Sequence, residues 1–263
     1  MGDPGSPRRP RLTVPPRYEV IGVEGLPEIG VGADLAALIT EAAARQGTPL
    51  ANRDLLVLSQ KIVSKAEGRV VKLSEVTPSP RARALAAELG RDPELTEVIL
   101  GESRRIVRKE LGLLIVETHH GWVCANAGVD QSNVDAGTAC LLPEDSDRSA
   151  RALRERLAEL TGHQLAIVIA DTFGRPWREG LANVAVGVAG FRPLESYLGE
   201  LDPAGHVLQA TVLALADEIA SAAEPVMGKL SRVPVAIVRG LDWKPGDGSS
   251  RELLRDPARD LFR

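Results

Sequence analysis

The stretch that most restricts how this chain can fold is 166-AIVIADTFGRPWREG-180. Residues 166–170 are all apolar, and the run closes on Asp171 and Thr172 before Arg175, Trp177, Arg178 and Glu179. A short apolar run bounded by polar and turn-forming residues reads as a buried strand. Its far end is unusual. An acid, two arginines and a second acid stand where a fold by itself needs no charge.

Other segments set the company this strand keeps. Strands are expected in 18-YEVIGVEGLPEI-29, at both ends of 54-DLLVLSQKIVSKAEGRVV-71, in 113-LLIVETHHGWVCANAGVDQSN-133 (as a hairpin or strand pair), in 182-ANVAVGVAGF-191 and in 234-PVAIVRGL-241. The residues between the two strands of 54–71 are expected to be a polar loop. Helical spacing marks residues 33–47 and 146–161, and 80-PRARALAAELG-90 has proline at its start and glycine at its end. The stretch 207-VLQATVLALADEIASAAEPVMG-228 is expected to be the longest helix. Strands and helices mix without strict alternation, which predicts a mixed α/β fold with mixed sheets and flanking helices rather than a doubly wound sheet. Residues 17–245 are expected to form one domain. Residues 1–16, rich in Pro, Gly and Arg, are expected to be a disordered tail. The polar stretch 246–263 reads as a segment leading out of the domain.

Composition excludes more than it selects. In 263 residues there are 36 acidic and 32 basic side chains, a net charge of −4, so nothing favours general binding to nucleic acid or an anionic membrane. No apolar run approaches the roughly 20 residues of a membrane span, and the N-terminus lacks a secretory apolar core. With Cys124 and Cys140 read as reduced, partly buried thiols, a cytoplasmic location is expected. The pattern GxxxxGK[ST] is missing, 30-GVGADL-35 lacks the third glycine of a dinucleotide fingerprint, and neither GxSxG nor HExxH occurs. The adjacent His119 and His120 are expected at the surface rather than on a shared metal.

What remains is a set of polar clusters at strand ends. Asp130, Asn133 and Asp135 lie in one loop; Asp171 and Thr172 end a strand, with Glu179 and Asn183 beyond. Hard oxygen donors of this kind suit Mg²⁺ or Mn²⁺, which recruit one or two carboxylates together with substrate phosphates. Ser59, Gln60, Lys61 and Lys65 follow another strand, and Arg175 and Arg178 offer planar donors for phosphate or carboxylate oxygens. Asp and Asn in loops are more often turn formers, and lysines more often solvated. Taken together, the clusters point to Mg²⁺-dependent phosphoryl or ligase chemistry.

The segments 58-LSQKIVSKAEGR-69, 126-NAGVDQSNV-134, 170-ADTFGRPWREGLANVAVGVAG-190 and 226-VMGKLSRVPVAIVRGL-241 resemble the coenzyme F420-0:L-glutamate ligases, across about residues 18–241. The likeness extends to the actinobacterial bifunctional form, in which a nitroreductase-like domain follows the ligase domain; residues 251–263 look like the join. The resemblance implies the fold of that family, neither Rossmann nor ATP-grasp, and a cytoplasmic homodimer. It implies a GTP-dependent reaction: the F420-0 carboxylate attacks the γ-phosphate, an acyl phosphate forms, and L-glutamate displaces phosphate, later rounds extending a γ-linked tail. Two divalent ions, and K⁺ as an accessory, are implied. Asp130 and Asp171 would hold the first ion and Thr172 would help hold the second. Leu26, Pro27, Glu28, Ile29, Ser59, Gln60, Lys65, Asn133, Met227, Gly228, Lys229, Leu230 and Ser231 would contact GTP. Lys65, Asp171 and Arg175 are the candidate catalytic residues, and Arg178 and Glu179 candidates for binding substrate. The archaeal members place a glutamine ligand for the second ion where this chain has Lys229. A protonated lysine cannot ligate a metal, so either other groups hold that ion or Lys229 replaces part of its charge. Two rival readings are a non-catalytic F420- or phosphate-binding module and an ATP-dependent carboxylate–amine ligase.

Overall fold

The computed structural model describes residues 16–260; the expected tail lies outside them apart from Pro16. The strands are β1 (Glu19–Gly22), β2 (Leu55–Ser59), β3 (Val70–Lys72), β4 (Ser103–Glu110), β5 (Leu113–Thr118), β6 (Val123–Ala125), β7 (Thr138–Cys140), β8 (Ala166–Arg175), β9 (Arg178–Ala189), β10 (Glu195–Ser196), β11 (Val212–Leu213) and β12 (Val235–Arg239). The helices are α1 (Leu35–Arg45), α2 (Gln60–Ala66), α3 (Pro80–Leu89), α4 (Pro93–Gly101), α5 (Ser146–Thr161) and α6 (Leu215–Met227). The class is mixed α/β, as expected.

The main sheet has the order β1-β12-β2-β8-β9, and within it only β2 and β8 run parallel. Its strands are apolar at successive positions because both faces are covered. Leu56, Leu58, Ile167, Ile169 and Ile237 face α1 and α5; Leu55, Val57, Ala166, Val168 and Val238 face α6 and Trp243. Each such leucine or isoleucine contributes about 1.5–3 kcal/mol by leaving water. The connection from β2 to β8 carries a second lobe: the sheet β4-β5-β6 and helices α3 and α4, with their own core of Leu85, Ile99, Leu114, Val116 and Val129.

Local signals account for four helix starts and for the end of α3. Asp34, Ser79, Asp92 and Asp145 cap α1, α3, α4 and α5 by accepting a backbone N–H, and Gly90 ends α3 in a left-handed conformation. Each cap is worth about 1 kcal/mol.

β9 is an edge strand, and over residues 183–188 side chains occupy its outer backbone groups. The N–H groups of Ala185 and Val188 donate to Asp217 and Asp147, both at 2.8 Å. The carbonyls of Asn183 and Val186 accept from the hydroxyls of Ser221 and Ser250. Side chains thus satisfy the edge and protect it from pairing. The small residues of β9 also have an internal cause. A Cβ on Gly187 would stand 2.5 Å from the backbone oxygen of Ser146, where α5 begins. The ordered chain continues past residue 245, because Ser249 and Ser250 bind the buried Asp147.

Three local expectations fail. Residues 60–66 are helix α2, not a polar loop, because Ile62 and Val63 bury against the sheet as one face of a short helix. Residues 212–213 pair with Glu195 and Ser196 as a hairpin, so the helix starts only at Leu215, and α5 is longer. The quoted strand does not stop at Asp171; β8 runs to Arg175 and turns through Pro176 and Trp177 into β9. His119 is exposed as expected, but His120 is half-buried and hydrogen-bonds the carbonyls of Pro143 and Glu144.

Candidate functional site

Ser59 and Ala170 are register partners at the ends of the parallel pair β2 and β8. One residue further on stand Gln60, opening α2, and Asp171. Ligands of α/β folds bind beyond the carboxyl ends of parallel strands, and here the polar residues converge. Lys61 and Lys65 are one turn apart on α2 and share a face.

Lys61 reaches across to the loop after β6. Its ammonium lies 2.6 Å from Asp130 and 2.5 Å from the Ser132 hydroxyl. Ser132 returns its N–H to Asp130 at 2.7 Å. Burial pushes the Asp130 carboxyl up, but the bonds and charge of Lys61 and the Ser132 amide outweigh it and hold it below the usual carboxylate range. The loop that carries Asp130 is fixed by paired backbone bonds between Asp130 and Cys140 and turns through the left-handed residues Asn126, Ala127 and Asn133.

Asp171 is in the opposite condition. Burial pushes its carboxyl up to about 6, the charge of Asp130 adds to this, and the Thr172 amide, Lys61 and Lys229 offset it only in part. Burial also pushes the Cys124 thiol up to about 12, with the charge of Asp171 contributing. Both cysteines are free, as expected, and they are buried rather than partly so.

Beside Asp171, Thr172 donates to Asn183 Oδ1 at 2.7 Å and accepts from Lys229 at 2.6 Å. Asn183 donates to Glu224 Oε2 at 2.8 Å, and Glu224 Oε1 lies 3.1 Å from Lys229. Lys65 pairs with Glu28, bringing the loop of Leu26 and Pro27 to α2, while Ile29 of that loop is buried in the core. Met227 is buried under the same strand end; Gly228, Lys229, Leu230 and Ser231 lead away from it, Leu230 almost fully exposed. Ser231 is tied back to the Met227 carbonyl.

Not every candidate joins this cluster. Asn133 is exposed in its turn. Arg175 donates to the carbonyls of Glu179 and Gly180, bracing the hairpin tip where Arg178 and Glu179 are also exposed. Four residues of strand separate that tip from Asp171, about 13 Å. Sequence reasoning gave Lys61 no assigned role and missed Glu224 altogether. An acid one residue before Pro225, at the end of an apolar helix, was the available signal.

Among the described residues no group of three His, Cys, Asp or Glu side chains is arranged to hold a metal by itself. Two carboxylates and a hydroxyl are the donor types suited to an ion that completes its shell with phosphate oxygens and water. The insufficiently compensated charge of Asp171 is the observation that favours such an ion. No helix among the described residues is long and apolar enough to cross a membrane.

Fold and cluster define a mixed α/β protein with an acid-and-lysine site at the ends of paired parallel strands. A family model described as F420-0:Gamma-glutamyl ligase matches residues 25–240. The Coenzyme F420:L-glutamate ligase of Methanothermobacter thermautotrophicus is 48% identical over 247 residues, covering 93% of this chain and 98% of that protein. Those of Methanopyrus kandleri and Methanocaldococcus jannaschii are 46% and 39% identical, covering 88% and 94% of this chain and 92% and 97% of theirs. The chain belongs to the F420-0:γ-glutamyl ligase family.

Proposed function

We propose that this chain joins L-glutamate to coenzyme F420-0 at the expense of GTP and then extends a γ-linked glutamyl tail. The names of its relatives support the ligase and both substrates. The observation that carries the chemistry is the gathering of acids and lysines around the end of β8: Lys61 holds Asp130, the charges of Asp130, Lys61 and Lys229 act on Asp171, Lys229 bonds Thr172, and Lys65 stands one turn further along α2. Such a place suits a triphosphate and its cations.

In this reading a carboxylate oxygen of F420-0 attacks the γ-phosphorus, and the bond from that phosphorus to GDP breaks. The glutamate amine then attacks the acyl carbon and loses a proton, and phosphate leaves with the oxygen that F420-0 supplied. Lys61 and Lys65 offset charge on the phosphates, the main demand in phosphoryl transfer. Asp130, Asp171 and Thr172 would hold Mg²⁺ or Mn²⁺, which would neutralise the transferring group. Two ions per site, an accessory K⁺, a homodimer and a cytoplasmic location belong to the same proposal. The side-chain capping of β9 argues for a dimer contact other than pairing along that edge.

The test uses F420-0 labelled with heavy oxygen in its carboxylate. Expected is phosphate carrying one heavy oxygen, released with GTP but not ATP and only when glutamate is present. Unlabelled phosphate would overturn the acyl phosphate, ATP preference would favour the second kind of ligase, and binding without release would favour a carrier module.

A further inference from the structure

Thr172, Asn183, Glu224 and Lys229 close a ring in which every hydrogen has one direction. Thr172 Oγ1 donates to Asn183 Oδ1 at 2.7 Å. Asn183 Nδ2 donates to Glu224 Oε2 at 2.8 Å. Lys229 Nζ serves both Glu224 Oε1 at 3.1 Å and Thr172 Oγ1 at 2.6 Å. Glu224 is the element that sets the sense. A carboxylate only accepts, so it takes the amide N–H and leaves Asn183 Oδ1 for the hydroxyl. Asn183 is 5% exposed, so water does not easily substitute for either partner. The hydroxyl proton of Thr172 is therefore committed to Asn183, and its remaining lone pairs face Lys229.

We propose that Asn183 and Glu224 are positioning residues that make Thr172 an oxygen acceptor for a cation, and that Glu224 tethers the Lys229 ammonium as a competitor for that oxygen. The cation class is a divalent ion brought with a polyphosphate. In its absence the tethered ammonium satisfies Thr172 and Glu224; when the ion takes the hydroxyl oxygen, Lys229 must give it up. Lys229 is 59% exposed along its side chain and sits in a turn, so it has room to withdraw. This rests on the proposed reading of the site as one for a nucleotide and its metal.

The test compares wild type, Lys229→Met and Glu224→Gln by electron paramagnetic resonance of free Mn²⁺, titrated against protein at saturating GTP, with melting curves to confirm folding. Removing the competitor in Lys229→Met should tighten Mn²⁺ about tenfold, the scale of one lost like-charge contact near a surface. Glu224→Gln should weaken it, because an anion is lost and glutamine can donate to Asn183, letting the amide reverse and turn its N–H on Thr172. Lysine-directed labelling read by mass spectrometry should find Lys229 more reactive in Glu224→Gln, and in wild type once Mn²⁺ and GTP are added. Equal Mn²⁺ affinities in Lys229→Met and wild type would overturn the proposal, even if Glu224→Gln failed to fold. Ligation of F420-0 is measured separately. Opposed shifts in Mn²⁺ affinity without any product would leave this inference standing and remove the ligase reading, and product with unshifted affinities would do the reverse.

Discussion

Asp171→Asn should make the metal-free protein more stable at neutral pH while removing its response to Mn²⁺ and GTP. Burial raises the carboxyl from 3.8 to about 6 in the folded state. A raised pKa means that the folded state holds the proton more firmly than the unfolded one. Stability from this group is present below about pH 4 and lost as pH rises through about 6. At 1.36 kcal/mol per unit the full shift corresponds to about 3 kcal/mol. Asp171 is half-buried, so solvent screening reduces that to about 1–2 kcal/mol. Asparagine keeps the shape and the acceptor for the Thr172 amide but carries no charge. In a chain of this size the gain is about 3–6 °C in melting temperature. The assay is thermal unfolding of both proteins with a chelator at pH 7.5 and at pH 4.5. The mutant should melt higher at pH 7.5, the gap should shrink at pH 4.5, and Mn²⁺ with GTP should stabilise wild type only. A mutant that melts no higher at pH 7.5 would refute the claim that Asp171 is held in the folded protein at a cost that a cation relieves.

Gly187→Ala should destabilise by about 1–3 kcal/mol, because the added methyl meets backbone at the start of α5 that cannot swing aside; chemical unfolding that shows no loss would discount the close approach. Arg175→Ala should change stability by less than about 1 kcal/mol, since its bonds brace an exposed turn. If the arginine also contacts an acidic substrate, KM for F420-0 or glutamate should rise in steady-state kinetics with kcat little changed. Unaltered KM for both would confine Arg175 to the hairpin.

The central strands were legible because residues 55–58, 166–170 and 235–238 are apolar without interruption, as the middle of a covered sheet must be. Helices α1 and α5 were legible from spacing, and α3 from the proline at its start and the glycine at its end. Each misreading has its own cause. In α2 two lysines hid a short helix whose buried apolar residues are only Ile62 and Val63. At Val212 and Leu213 an apolar pair that belongs to a hairpin looked continuous with the helix after it. β4 escaped notice because its side chains are mostly charged and exposed, an edge strand held by backbone pairing to β5. Of the site, Asp130, Asp171 and Thr172 stood out as polar ends of buried elements. The contact of Glu224 with Asn183 did not, because 41 residues separate them and only the packing of α6 on β9 joins them.

The most direct measurement of the central claim is the mass of F420-0 after incubation with the protein, L-glutamate, Mn²⁺ and GTP, alongside Asp130→Asn and Asp171→Asn. The wild-type protein should add the mass of one glutamyl residue and then further ones, and neither mutant should add any while both remain folded. An unchanged F420-0 mass with folded wild-type protein, or full addition by both mutants, would contradict the account.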